Sequence, residues 1–236
     1  MIHVVIPWRG GDLQRSDVLN WVQDRWAETH PDWAVLFGEL TDDSDWCKAD
    51  AVAAAIESAA PDPDDILVIA DADVWSDSID AAVAAVESGE YRWALPHSQV
   101  LRLNQETTRQ ILEEGRPHNA AVGGCLDRPS YLGVVGGGMT VVAAALYEEC
   151  PLDPRFVGWG QEDEAWGHAL HAIGGRRWRG NDPLWHLWHA PQERMNRAVG
   201  SVFGQRLRDQ YRQFVNQPDL MRQLIAGGRL HRSPRP

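Results

Sequence analysis

Short apolar runs alternate with helix-like segments along the N-terminal part of the chain, and this order constrains the fold most. The runs "IHVVIP", "WAVLFGEL" and "DDILVIADADV" are typical of buried strands. Helical spacing of apolar residues follows each of them, from Asp12 to Glu28, in "KADAVAAAIESAA" and in "SDSIDAAVAAVESGE". The order predicts an α/β fold: a single Rossmann-like domain with a mostly parallel sheet flanked by helices. We expect this domain to span residues 1–226, followed by a disordered tail over residues 227–236.

The C-terminal half is less regular, but it continues with the same kinds of element. We predict a strand in "YRWALPHSQVLRL", a helix in "NQETTRQILEEG", a strand and helix in "GVVGGGMTVVAAALYEEC", and a turn and helix in "VGWGQEDEAWGHALHAIGG". A strand or loop is expected in "NDPLWHLWHAP", and one helical segment from about Glu193 to Ile225. The long Gly- and Pro-containing connection from Gly115 to Gly138 is typical of a functional loop, and we expect it to order over a ligand as a lid.

Composition excludes several classes of partner and compartment. The formal net charge is −12, which disfavours broad contact with a phosphate backbone, so we predict no nucleic-acid partner. A bound phosphate has to be met locally, by arginines, helix N-termini or a metal ion. The three cysteines are odd in number and widely spaced, which is typical of a reducing compartment. There is no run of eighteen apolar residues, so no membrane span is expected.

Asp71 and Asp73 follow the most apolar predicted strand, at the carboxyl edge of the sheet where ligands bind in such folds. Residues i and i+2 of an extended chain point to the same side, so both carboxylates are expected on one face. They repel each other unless a cation lies between them, and a hard divalent ion is the natural occupant. The alternative is that the acidic pair simply makes the end of the strand soluble.

The motif "GWGQEDE" places Glu162 and Asp163 at a predicted helix start. Acidic residues are favoured in a first turn by the helix dipole, so the motif is open to a purely structural explanation. Carboxylates at that position also stay ionised, as a general base acting on a hydroxyl requires. The motif therefore predicts either an ordinary helix start or a base.

His186 and His189 in "WHLWHAP" are candidate metal ligands, although a lone histidine is more often structural. Their separation of three residues puts them on opposite sides of an extended chain, so at most one is expected beside the aspartates. A set of carboxylates and an imidazole suits Mn²⁺ better than Mg²⁺. Arg9 follows the first strand at the same sheet edge, and Gly136 to Gly138 could let a ligand approach the backbone.

Taken in order, "IPWR", "DADV", "VVGGGM", "GWGQEDE" and a downstream histidine resemble the series found in β-1,4-galactosyltransferases. Bacterial chondroitin-type synthases and polypeptide N-acetylgalactosaminyltransferases are similar. These are nucleotide-sugar glycosyltransferases with a GT-A domain, and the resemblance spans about residues 1 to 195. It implies a Mn²⁺-dependent transfer, with Mg²⁺ possible, of a hexose or N-acetylhexosamine from a UDP-sugar to an acceptor hydroxyl, with inversion.

The resemblance also implies a role for each matching residue. Donor-binding residues would be Pro7, Trp8, Arg9, Asp71, Gly137, Gly138 and Trp159. Asp73 would bind the metal with His189, and Asp71 and His186 are further candidate ligands. Asp163 has the position of the general base, and Glu162 is its catalytic neighbour; with Trp159 they match the acceptor-side motif. The chain departs from the galactosyltransferases at Gln161, where they have glycine, so donor or acceptor preference could differ.

Two other functions are compatible with the same sheet. A nucleotidyltransferase that makes sugar nucleotides would usually carry a Gly-rich loop with Arg and Lys after the first strand, and "RGGDLQR" is a poor version of it. A non-catalytic module that binds a sugar nucleotide or glycan would bind without turnover. The acceptor of the leading candidate could be a glycan, a protein or a small molecule. The missing anchor and stem predict a cytoplasmic enzyme of a bacterium or phage.

Overall fold

The computed structural model describes residues 1–10, 13–40, 45–114, 126–127, 137–158, 160–190 and 197–230. In these ranges the strands are β1 (Ile2–Trp8), β2 (Ala34–Glu39), β3 (Ile66–Ala70), β4 (Val74–Ser76), β5 (Trp93–Leu95), β6 (Gln99–Arg102), β7 (Met139–Ala143), β8 (Trp178–Arg179) and β9 (Pro183–His186). The helices are α1 (Leu13–Thr29), α2 (Lys48–Ala59), α3 (Ile79–Glu87), α4 (Gln105–Glu114), α5 (Ala144–Glu149), α6 (Glu162–Gly174), α7 (Arg197–Gln213) and α8 (Pro218–Arg229).

A six-stranded sheet in the order β2-β1-β3-β7-β5-β8 forms the centre of the molecule. β1 is parallel to both β2 and β3, and β5 is parallel to β8. β7 is antiparallel to its neighbours β3 and β5, so it runs against the rest of the sheet. The predicted α/β class with a mostly parallel sheet is confirmed, with one reversed strand that the sequence analysis did not assign.

Helices cover both faces of this sheet. On one face, α1 and α3 bury Val22, Trp26 and Val83 against β1 and β3. On the other face, α2 and α6 contribute Val52 and Leu170 to a second apolar cluster. A sheet buried on both sides needs near-continuous apolar strands, which is why "ILVIA" in β3 has no exposed position.

A second, three-stranded sheet in the order β4-β9-β6 was not predicted. The predicted strand "DDILVIADADV" is divided: β3 ends at Ala70, a turn follows, and β4 enters the second sheet at Val74. The predicted strand "YRWALPHSQVLRL" is divided in the same way between β5 and β6. Both corrections have one cause, because an apolar run carries no mark of where the chain passes from one sheet to another.

The C-terminal helical region also differs from the prediction. The single segment expected up to Ile225 is two helices, α7 and α8, and Pro218 opens the second of them. Helix α8 continues to Arg229, three residues into the predicted tail, and residues 231–236 lie outside the described part. Among the helices that the structure describes, we find none with the length and hydropathy needed to cross a membrane.

Candidate active site

A cavity of about 700 Å³ opens at the carboxyl ends of β1 and β3. The reversed direction of β7 explains why its loop contributes to the same edge: Met139 at the start of β7 pairs with Ala70 at the end of β3. The Asp71 amide accordingly donates a hydrogen bond to the Gly138 carbonyl at 2.7 Å. Two segments far apart in sequence, the turn after β3 and the glycines before β7, therefore line one cavity.

Gly138 has to be glycine for two reasons. Its φ is +73°, in the left-handed region, and a Cβ there would lie 2.2 Å from Leu184 Cδ2. Gly137 has a φ of +96°, and a Cβ on it would point toward Asp163 at 3.6 Å from Oδ2. The backbone at Gly137 and Gly138 thus passes directly beside the acidic groups of the cavity.

Asp73, His186 and His189 form a compact cluster on one side of the cavity. One ligand atom from each of the three lies within 4.8 Å of the others. His189 Nε2 is 3.0 Å from Asp73 Oδ2, and His186 Nε2 is 3.9 Å from Asp73 Oδ1. Pairing of β4 with β9 puts His186 opposite Val74, and the Leu187 amide donates to the Asp73 carbonyl at 2.8 Å. The cluster is therefore fixed by backbone pairing between two strands.

Both imidazoles are oriented with Nε2 toward Asp73. Nδ1 of His186 lies 3.0 Å from the Leu187 carbonyl oxygen, and Nδ1 of His189 lies 2.9 Å from the Ala190 carbonyl oxygen. A carbonyl oxygen only accepts, so each Nδ1 carries a hydrogen and each Nε2 is left for a ligand. Burial opposes protonation of His189, but the bond to Asp73 outweighs it and raises the pKa of this imidazole.

The donor set of this cluster fits a divalent transition ion. One carboxylate and two oriented imidazoles suit Mn²⁺ better than Mg²⁺. Asp73 Oδ1 is buried and has no hydrogen-bond partner among the described residues, so an oxygen ligand is available. Burial disfavours the charge on Asp73, yet His186, His189 and Arg15 lower its pKa, which keeps it ionised for metal binding.

The expectation that only one histidine lies beside the aspartates is wrong. It assumed an extended chain through residue 189, whereas β9 ends at His186 and the following residues are irregular. The change of direction after β9 brings His189 back to the same side as His186. A parity argument holds only as far as the strand does.

Asp71 belongs to a different cluster from Asp73. Lys48 Nζ, at the start of α2, donates to Asp71 Oδ1 at 2.7 Å and to Asp163 Oδ1 at 2.8 Å. Among the described residues, the compact cluster of candidate metal ligands therefore includes Asp73 but not Asp71, and a turn, not an extended chain, connects the two after β3. Burial works against the charge on Lys48, but Asp163, Asp71 and Glu162 together raise its pKa.

Glu162 is the carboxyl group of this second cluster that binds a proton most readily near neutral pH. Its Oε2 atom is buried and has no hydrogen-bond partner among the described residues. Burial, followed by the charge of Asp163, raises the pKa of Glu162 to about 7, although Lys48 acts in the opposite direction. One lysine facing three carboxylates leaves surplus negative charge, so a proton is retained there up to neutral pH.

The remaining predicted residues are divided between the cavity and the core. Pro7 and Arg9 line the cavity at the end of β1. Trp8 does not line this cavity; it is 8% exposed and packs in the apolar core, beside a small pocket that Asp73 and His189 also line. Its indole supports Arg15, whose guanidinium lies 5.7 Å from the ring centroid. Trp159 lies outside the described residues, as does most of the 115–138 connection, so these two assignments stay predictions.

Two cationic residues of the cavity were missed at the level of sequence. Lys48 and Arg15 both line it, and both are 8% exposed. Lys48 has a signal in the sequence, since it is the single lysine among 22 lysine and arginine residues. Arg15 had none, because one arginine in a helix of mixed composition is not distinctive.

Comparison with known proteins identifies the fold. No protein-family model matches the chain, and no curated protein matches it in sequence. The catalytic domain of Drosophila β1,4-galactosyltransferase 7, solved in complex with xylobiose, is similar with a TM-score of 0.55 at 13% identity, over 86% of this chain and 79% of that one. A mutant of the Drosophila enzyme in complex with manganese, UDP-Gal and xylobiose gives a TM-score of 0.47 at 14% identity, over 83% and 74%. The chain has a GT-A glycosyltransferase fold.

Proposed function

We propose that the protein is a metal-dependent glycosyltransferase that transfers a sugar from a UDP-sugar to an acceptor hydroxyl with inversion. The observation that carries this proposal is the pairing of two clusters in one cavity, Asp73–His186–His189 and Lys48–Asp71–Asp163. The first suits a divalent ion and the second holds carboxylates that can accept a proton. A transfer from a diphosphate donor to a hydroxyl needs both kinds of group.

The donor would lie across the end of β1 and the turn after β3. Asp73, His186 and His189 would hold a divalent ion, which would supply stabilisation of the negative charge on the diphosphate leaving group. Arg9 and Arg15 line the same cavity and bring positive charge near the phosphates. The backbone at Gly137 and Gly138 leaves room for the donor sugar. Local cations thereby offset the net charge of −12, which otherwise repels an anionic donor.

Acceptor activation would fall to the start of α6. Asp163 would take the proton of the incoming hydroxyl, and Lys48 fixes its carboxylate at 2.8 Å. Glu162, with a free carboxylate oxygen and a pKa near 7, would orient the acceptor or share the proton. Xylobiose in the similar Drosophila catalytic domain supports a glycan as the class of acceptor.

Calorimetric titration of UDP tests the donor site. We expect binding in the presence of Mn²⁺ and its loss with EDTA. Asp73→Ala is expected to weaken Mn²⁺-dependent binding by at least about a hundredfold, because the two remaining ligands, His186 and His189, hold a metal poorly without the carboxylate. Asp77→Ala, a carboxylate four residues away that accepts from the Trp75 indole, is the matched control and should bind UDP normally. Binding that ignores metal and Asp73 would contradict the proposal.

Asp163→Asn separates an enzyme from a module that only binds. The amide keeps the shape of the side chain but cannot take a proton, so we expect UDP affinity within about threefold of the wild type and a loss of transfer of about 10³-fold. Transfer is measured as UDP release from UDP-galactose with xylobiose as acceptor. Normal UDP binding without release by the wild type, over a panel of UDP-sugars, would favour the binding module.

A further inference from the structure

Gln161, the residue before α6, has a backbone conformation that glycine normally adopts. Its φ is +82°, and it serves as the N-cap of α6 without a side-chain capping bond. A side chain is strained in the left-handed region, so surrounding contacts have to hold it there. The residues that follow it directly are Glu162 and Asp163, the acidic groups of the cavity.

The contact that holds Gln161 comes from α7. Arg208 Nη1 donates to Gln161 Oε1, and the same guanidinium lies 3.9 Å from Glu164 Oε2. The Arg208 side chain is 19% exposed, so this bond is shielded from water. Gly204, one turn earlier on α7, also lies beside Gln161, since a Cβ built there would be in ordinary contact with Gln161 Cγ at 3.8 Å. The far side of Gln161 faces the cavity.

The backbone of Gln161 in turn supports the first turn of α6. Its carbonyl accepts the Ala165 amide at 3.0 Å, which is the first hydrogen bond of the helix. If Gln161 relaxed toward negative φ, this bond would be lost and Glu162 and Asp163 would shift. The backbone that carries both carboxylates therefore depends on a side-chain contact made from another helix, in addition to the ion pair of Lys48 with Asp163.

We propose that Arg208 is a positioning residue that acts through Gln161 to hold the first turn of α6, and with it Glu162 and Asp163, in the cavity. Arg208 itself touches no reacting group. The catalytic consequence rests on the proposed function, whereas the link from Arg208 to the start of α6 does not.

Amide hydrogen exchange of the Ala165 peptide group measures this link without any substrate. Arg208→Ala is expected to raise exchange there by about tenfold or more, as is Gln161→Leu, which keeps the bulk but removes the acceptor. Gln161→Gly should exchange within about threefold of the wild type, because glycine keeps a positive φ without a partner. In the double variant Gln161→Gly/Arg208→Ala, the arginine should no longer matter, and exchange should stay within about threefold of Gln161→Gly.

Steady-state turnover tests the catalytic consequence of the link between Arg208 and α6. With Mn²⁺ and UDP-galactose, Arg208→Ala is expected to lower kcat for UDP release about tenfold while KM for the donor stays within about twofold, because only the placement of Glu162 and Asp163 changes. The double variant should recover kcat to the level of Gln161→Gly. Arg222→Ala is the matched control, an exposed arginine on α8 that pairs with Asp219, and should change neither readout.

Each outcome has a definite meaning. Unchanged Ala165 exchange in both Arg208→Ala and Gln161→Leu would overturn the proposal. Raised Ala165 exchange that persists in the double variant would overturn it too, since Arg208 would then act by a route other than Gln161. If the variants show the expected exchange pattern but the wild type turns over no UDP-sugar, the link from Arg208 to α6 stands and the proposed function alone is contradicted.

Discussion

At the scale of single residues, Lys48 joins two acidic groups of the cavity. It is nearly buried, and it contacts one carboxylate on each side, Asp71 at the end of β3 and Asp163 at the start of α6. A buried ion pair adds little net stability compared with an apolar replacement of the whole group, but removing one partner leaves uncompensated charge. Lys48 therefore keeps the donor side and the acceptor side of the cavity together.

Lys48→Met tests this role, since methionine has a similar length and no charge. We expect the free energy of unfolding to fall by about 3 kcal/mol, because Asp71 and Asp163 lose their shared cation. Lys48→Arg retains the cation and should lose less than about 1 kcal/mol. Urea unfolding at neutral pH is the measurement, and equal stability of the methionine and arginine variants would contradict the role.

The buried side chain of His97 is expected to make the stability of the protein depend on pH, independently of the cavity. It is fully buried, and both ring nitrogens lack hydrogen-bond partners among the described residues. Burial, with the nearby charge of Arg179, lowers its pKa from 6.5 to about 4. Between these two values the unfolded chain binds a proton that the folded protein does not, so stability falls as the pH falls.

We expect the His97 contribution to reach about 3 kcal/mol of unfolding free energy, lost progressively from pH 6.5 down to pH 4. His97→Leu has no titrating group and a similar volume, so the slope of stability against pH should be shallower in this window. Urea unfolding at several pH values compares the two proteins. Parallel slopes would show that His97 is protonated in the folded state.

At the scale of elements, the turn between β3 and β4 explains both the success and the failure of the prediction. The apolar run ending in Asp71 and Asp73 correctly indicated a strand with polar groups at the ligand-binding edge of the sheet. It did not indicate that the chain leaves one sheet and enters another within three residues. This passage from one sheet to the other depends on pairing of β3 with β7 and of β4 with β9, and both partner strands follow much later in the sequence. Long-range pairing leaves no trace in a local pattern, and strand direction leaves none either.

Substitution of Gly38 tests how closely α2, the helix that begins at Lys48, packs against the sheet. It lies in β2, and a Cβ there would be 1.9 Å from the Ala51 carbonyl oxygen in α2. Because this neighbour is backbone, Gly38→Ala has to displace the helix, and we expect a loss of about 3 kcal/mol of stability. Gly10→Ala meets only side-chain atoms at 3.7 Å or more and should change stability by less than about 1 kcal/mol. Thermal unfolding compares them, and equal midpoints would contradict close packing of α2 on β2.

At the scale of the whole molecule, the cavity lies where the two sheets meet. Asp73 ends the turn leading from the six-stranded sheet, and His186 ends a strand of the three-stranded sheet. The sequence predicts the fold class and the location of a site at the carboxyl edge. It does not predict the second sheet, and among the described residues the compact set of candidate metal ligands includes Asp73 but not Asp71.

A metal held by Asp73, His186 and His189 would bind the folded protein and not the unfolded chain, so metal binding should stabilise the entire fold. At a free Mn²⁺ concentration of a hundred times Kd, the free energy of unfolding should rise by about 2.7 kcal/mol. The gain should shrink below neutral pH, because the raised pKa of His189 makes protons compete with the metal. His189→Ala should lose the gain, whereas His171→Ala, outside the cluster, should keep it. Differential scanning calorimetry with and without Mn²⁺ measures both, and an equal gain in the two variants would contradict the metal site.

The use of a single lysine has a practical consequence for chemical labelling. The chain contains two primary amines, the N-terminus of Met1 and the side chain of Lys48. Met1 pairs with Asp65 at the opposite end of β1 and β3, whereas Lys48 lies inside the cavity. An amine-reactive reagent therefore has one internal standard and one reporter, and intact mass spectrometry can read the state of the cavity from the ratio of the two modifications.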